Sequence, residues 1–124
     1  MPARILVIDD DRSIRGLIEL LLHRKGIETD CAGNGGDALE FLRRRDYHAV
    51  LLDLMMPGMN GFDFLETVRR EKPQMIGKTI VVTAFSRKGP PPGVEGTFAI
   101  IRKPFDIENL MNVVDFCLES EVKE

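Results

Sequence analysis

Short runs of aliphatic and β-branched residues alternate along this chain with longer amphipathic stretches, and that alternation admits few folds. Ile5-Leu6-Val7-Ile8 and Ala49-Val50-Leu51-Leu52 are apolar at every position. A strand with no polar side must be covered on both faces, which is the condition of a parallel sheet with helices above and below it. Residues 79–83 repeat the pattern, and residues 27–31 and 98–101 complete a set of five strands. Between them, residues 12–25 place Ile14, Leu17, Ile18, Leu21 and Leu22 at three- and four-residue steps on one helical face and stop at Gly26. A turn, Gly33-Asn34-Gly35-Gly36, leads into a helix over residues 37–45 with Ala38, Phe41 and Leu42 inward. The loop from Met56 to Gly61 precedes a helix reaching Lys72 with Phe62, Leu65 and Val68 on one face. A last helix over residues 106–120 carries Leu110, Val113, Val114, Cys117 and Leu118, with Asp106 as its N-cap.

These elements predict one α/β domain spanning residues 1–124. Seventeen Lys and Arg against twenty Asp and Glu give a net charge of −3, so no positive field is available for direct contact with a nucleic-acid backbone. The opening Met-Pro-Ala-Arg and the short apolar run after it form neither a signal peptide nor a membrane span, which predicts a cytoplasmic protein with no membrane insertion. Cys31 and Cys117 lack ligand spacing and read as reduced, buried residues. One segment breaks the alternation. Residues 86–97 read Ser-Arg-Lys-Gly-Pro-Pro-Pro-Gly-Val-Glu-Gly-Thr where a helix is due, and consecutive prolines flanked by glycines limit any helix there to a turn.

Ligands of open parallel sheets bind beyond the carboxyl ends of the strands. The positions just past each apolar run are Asp9 and Asp10, Asp53, Thr83 and Lys103, so acids, a hydroxyl and an ammonium converge on one edge. Crowded carboxylates repel unless neutralised, and hard oxygen donors with room for water suit magnesium. An ion and a lysine beside a carboxylate also suit phosphoryl delivery to a weak nucleophile, which makes Asp53 a candidate for covalent phosphorylation.

The ordered set Ile8-Asp9-Asp10-Asp11, then Leu52 to Gly61 (Leu-Asp-Leu-Met-Met-Pro-Gly-Met-Asn-Gly), then Val82-Thr83-Ala84, then Lys103-Pro104-Phe105 resembles the receiver domain of two-component response regulators, of the chemotaxis-regulator-like kind. The resemblance covers essentially the whole chain. It implies a flavodoxin-like, doubly wound sheet in 2-1-3-4-5 order, and phosphotransfer from a sensor histidine kinase or phosphotransfer protein to Asp53. It further implies that Asp10 binds Mg2+ directly and Asp9 through water, with Asp53 and the Met55 carbonyl as further ligands. Lys103 pairs with the acceptor, Thr83 bonds the phosphoryl group, Ala84 leaves room for it, and Lys103-Pro104 is a cis peptide. Asp11 caps the first helix rather than binding metal. A downstream protein or output domain reads the switch, which is not an enzyme in the turnover sense.

Two departures fall on the surface that reads the switch. Relatives carry an aromatic residue three positions before the lysine, and here that position is Ile100, stiff at χ1 and without a ring to swing. The missing helix at residues 86–97 is the other, and it suggests a mobile or partner-ordered Gly/Pro loop. The rival reading is a receiver-like binding module that no longer uses phosphate; an aspartyl phosphohydrolase would want a second acid two residues after its nucleophile, which is Met55 after Asp53 and, as a weak match, Asp11 after Asp9. Gly77-Lys78-Thr79 fails as a phosphate-binding loop because Lys72 occupies the first glycine position. Arg43 to Arg45 complement a helix C-terminus, His23 and His48 are ordinary surface histidines, Met55, Met56 and Met59 pack a loop, and Pro90 to Pro92 form a spacer. Met55 and Phe85, each two residues past a reacting position, are apolar and screen an attacking water. Phosphate on Asp53 is therefore expected to outlast seconds in magnesium without a phosphatase, followed by intact mass against time; decay within seconds contradicts this.

Overall fold

The computed structural model describes residues 2–56, 58–84, 89 and 91–122, with residues 121 and 122 described by their backbone alone. Its strands are β1 (Arg4–Ile8), β2 (Glu28–Ala32), β3 (Ala49–Leu52), β4 (Thr79–Thr83) and β5 (Ala99–Arg102). Four α-helices are described, α1 (Arg12–Arg24), α2 (Gly35–Arg44), α3 (Gly61–Glu71) and α4 (Ile107–Val122), and a 3-10 helix over Pro73–Lys78 leads into β4. The strands form one parallel sheet in the order β2-β1-β3-β4-β5. The parallel sheet is what the strand pattern predicts, and the flavodoxin-like doubly wound order is the one the family resemblance implies.

Alternate residues of the strands feed two separate cores. Leu6, Ile8, Val50, Leu52 and Val81 pack with α2 and α3, while Ile5, Val7, Leu51, Ile80 and Val82 pack with α1 and α4. Polar residues are scarce in the central strands because neither face meets water. Helix starts follow short polar caps: Asp11 accepts from Ser13 and Ile14 N–H groups, Asn34 from Asp37, and Asn60 from Asp63. Asp106 accepts from the Glu108 N–H at 2.9 Å and so opens α4 as expected.

Several sequence expectations shift. β3 and β4 stand where expected, but β2 and β5 each begin one residue later, and α2 begins two residues earlier because Asn34 rather than Gly36 terminates the turn. Leu17 is exposed rather than inward; Ile18 and Leu22, with the partly buried Ile14, make the α1 contact with the sheet. Leu39 and Phe64, not singled out by spacing, are buried where α2 and α3 face each other, and Phe41 and Phe62 lie at the rim. Cys31 is only half-buried and Cys117 is buried; both are free thiols.

Among the described residues between β4 and β5 there are turns and no helix, as the prolines predict. The expectation of a mobile loop fits less well. Val94 is buried in the α2–α3 core, and the Arg69 guanidinium on α3 donates to the carbonyls of Gly93 at 2.9 Å and Glu95 at 2.6 Å. Arg102 of β5 donates to the Gly89 carbonyl at 2.6 Å. Gly89, Gly93 and Gly96 take positive φ of 78°, 84° and 83°, the left-handed region where a side chain is strained. Residues 91–97 thus form a strap pinned to α3. Residues 85–88 and Pro90 lie outside the described residues, as does Pro57.

The loop from Asp53 to Asn60 is closed by one contact: the Gly61 N–H donates to the Leu54 carbonyl at 2.9 Å, and a Cβ at Gly61 would stand 2.4 Å from the Leu54 Cα. Backbone cannot yield as a side-chain tip does. Gly61→Ala is expected to cost about 1–3 kcal/mol, read as a lower denaturant midpoint with unchanged slope; an unchanged midpoint contradicts this packing.

Candidate functional site

β1, β3 and β5 each continue their ladder by one hydrogen bond past their last residue, and this helps gather the polar side chains. The Asp9 N–H donates to the Ala32 carbonyl at 3.1 Å, the Asp53 N–H to the Ile8 carbonyl at 2.9 Å, and the Lys103 N–H to the Thr83 carbonyl at 2.7 Å. The carboxyl ends of β1 and β3 therefore lie level, as do those of β4 and β5, and β4 runs two residues past the end of β3. One oxygen from each of Asp9, Asp10 and Asp53 falls within 4.8 Å of the others. Asp9 and Asp53 are buried and Asp10 is exposed, so the cluster opens to water on one side only.

Unit charges at this range repel by about 3–4 kcal/mol at an effective dielectric of ~20. Lys103 offsets part of this, with Nζ 3.0 Å from Asp9 Oδ2 and 3.4 Å from Asp53 Oδ2. The second oxygens are held by the main chain: Asp9 Oδ1 accepts from the Asp11 N–H at 2.9 Å and Asp53 Oδ1 from the Met55 N–H at 3.0 Å. Burial raises the pKa of Asp53; the Met55 N–H bond opposes it, the Asp9 charge adds to it, and the outcome is a carboxyl above its ordinary range. Burial works against the charge on Lys103, but the hydrogen bond and charge of Asp9 and the charge of Asp53 outweigh it and raise its pKa. Three carboxylates against one ammonium leave an uncompensated charge of −2, the complement of a divalent cation. Hard oxygen donors, one of them solvent-facing, fit magnesium with water in its remaining positions.

The other residues singled out by sequence are distributed around this cluster. Thr83 is fully buried at the end of β4, and Ala84 follows it at the surface. Met55 gives its N–H to Asp53, and the residue is exposed. The matching expectation for Phe85 lies outside the described residues. The Lys103-Pro104 peptide is cis. Ile100 is half-buried against the α2–α3 core, away from the carboxylates on the far side of β4 from Asp53. Asp11 is engaged as the α1 cap.

One neighbour escaped the sequence pattern. Arg15, in the first turns of α1, donates from Nη1 to the Asp9 carbonyl at 2.8 Å. Its position four residues after the cap is the only hint, and any solvated helical arginine shares it. Cys31 is no reactive partner: burial, then the Glu19 charge, pushes its thiol up to about 11.

Residues 5–115 match the family model of the response regulator receiver domain. The DNA-binding transcriptional regulator NtrC of Bradyrhizobium sp. is 32% identical over 130 residues, covering 100% of this chain and 26% of that protein. The response regulator protein TrrA from Thermotoga maritima, solved in complex with Mg(2+)-BeF, superposes with a TM-score of 0.84 at 33% identity over 95% of this chain and 100% of that one. A structure of histidine kinase ThkA in complex with TrrA gives a TM-score of 0.83 at 33% identity over 95% of this chain and 99% of that one. The chain spans between 25% and 32% of the length of the curated relatives it matches. Among the described residues, no helix is long and apolar enough to cross a membrane.

The raised pKa of Asp53 means that the fold favours its neutral form. That contribution is full below the unfolded carboxyl value of about 4 and is lost as pH rises through the higher folded value. Asp53→Asn, a neutral isostere, is expected to raise the thermal midpoint at pH 7 in chelator-treated protein, with the gap closing as pH falls below about 4. A midpoint at or below that of the parent at pH 7 contradicts this account of the cluster.

Proposed function

Because the chain belongs to the response regulator receiver domain family of two-component systems, we propose that it is a phospho-accepting signalling switch with Asp53 as the acceptor. The observation that carries this reading is the meeting of Asp9, Asp10 and Asp53 oxygens within 4.8 Å beside the Lys103 ammonium. An Asp53 carboxylate oxygen attacks the phosphorus of a phosphohistidine; the new P–O bond forms as the P–N bond breaks, and the departing imidazole keeps the electron pair. The donor is a sensor histidine kinase or phosphotransfer protein. TrrA, which this chain resembles, is seen with a histidine kinase and with Mg(2+)-BeF.

Lys103 neutralises charge at the acceptor before transfer and at a phosphoryl oxygen after it, as a compact ammonium on a short tether does well. Thr83 gives its hydroxyl to the phosphoryl group, and the small Ala84 leaves space. Asp9, Asp10, Asp53 and the Met55 carbonyl would hold Mg2+, Asp9 through water, and the ion supplies neutralisation of the transferring oxygens. The altered surface is read by a protein partner or output domain, with no direct nucleic-acid contact from this unit. A cytoplasmic location and a single receiver unit over residues 1–124 complete the reading. Turnover of an external substrate is no part of it.

Ile100 in place of an aromatic residue, together with the strap where a helix is due, favours a second reading as a module recognised without phosphate. One experiment separates them. Incubation with acetyl phosphate and magnesium, followed by intact mass, is expected to give a single phosphoryl adduct, absent in Asp53→Asn and without magnesium. No adduct on the parent protein supports the phosphate-independent module instead.

A further inference from the structure

We infer that Arg15 is a positioning residue for the cation, acting through the main chain of Asp9, an inference that rests on the magnesium-dependent reading above. The Asp9 backbone is held on both sides, its N–H by the Ala32 carbonyl at 3.1 Å and its carbonyl by Arg15 Nη1 at 2.8 Å. Its side chain is held as well, by the Asp11 N–H and Lys103. Asp10 differs: it is exposed, and among the described residues its carboxylate accepts no hydrogen bond. What aims Asp10 is the peptide that joins it to Asp9, and the carbonyl of that peptide is the atom Arg15 grips. The guanidinium is itself confined, since a Cβ built at Gly33, in the turn between β2 and α2, would lie 3.0 Å from Nη1. Arg15 thus wedges between two turns at the acidic edge and fixes the geometry of a ligand it does not touch.

Charge and position make opposite demands on this residue. As a cation bonded to the main chain of Asp9, Arg15 repels a metal ion held at the cluster, so its removal by charge alone tightens binding. As the group that orients Asp10, its removal loosens binding, and loss of such outer contacts typically weakens a metal site by about 10–100-fold. The sign of the change therefore identifies the role.

The test is titration of the intact chain with magnesium chloride, followed by amide chemical shifts at Asp10 and Leu54, with the thermal midpoint of each variant measured in chelator. Arg15→Met, which keeps the stem and loses both charge and donor, is expected to weaken the magnesium dissociation constant by about tenfold. Arg12→Met, which removes a positive charge from the exposed start of the same helix, leaves it equal or tighter. Should Arg15→Met not fold, Gly33→Ala displaces the guanidinium tip and is expected to weaken binding in the same direction. Saturable binding in the parent with equal or tighter binding in the Arg15 variant, or in the Gly33 variant standing in for it, overturns this inference and leaves the proposed function intact. Absence of saturable binding in the parent overturns both.

Discussion

Like charges forced together at the rim of a sheet set the terms for the rest of this molecule. Asp9 and Asp53 stand side by side because their strands are neighbours, and each is drawn down by a main-chain bond that continues the ladder. Neither can swing away: one oxygen of each is committed to an N–H group and the other faces Lys103. A buried pair of this kind is tolerable only with compensating charge. The lysine supplies one unit, and the geometry leaves a demand for more. The apolar strands on either side of the pair are the scaffold that makes such crowding rigid.

The two ends of the β4 to β5 connection are built on different principles. At the carboxylate edge, side chains do the work, and their spacing is set by the sheet. Along residues 91–97, main-chain carbonyls are the anchors, gripped by Arg69, with Pro91 and Val94 buried. Gly93 and Gly96, in the left-handed region, bend the segment without any helical repeat. Ile100 beneath it packs into the α2–α3 core as an ordinary aliphatic residue.

The strands were legible because burial on both faces leaves runs that no helix on a protein surface would tolerate, and β3 and β4 stand where their residues begin and end. The site was legible for a related reason, since each acid, and the lysine, sits directly past an apolar run. What stayed hidden depended on partners rather than periodicity. Leu17 holds a place in the α1 stripe yet is exposed, and Leu39, passed over by spacing, is buried in the α2–α3 core, because what packs against each helix decides burial. Val94 looks like a loop residue until Arg69, far away in the chain, fixes the strap against α3. Arg15 is hidden for the same reason: its acceptor is a backbone carbonyl, and backbone acceptors leave no mark in a sequence.

Fastening by carbonyl oxygens has an evolutionary consequence for the strap. Every residue type offers the same acceptor, so the identity of an outward position such as Pro92 is decoupled from whether the segment stays in place. A helix in the same location would tie its outer residues to helix-forming propensity. Here that surface is free to diversify its chemistry from one lineage to the next while the carboxylate edge is left undisturbed.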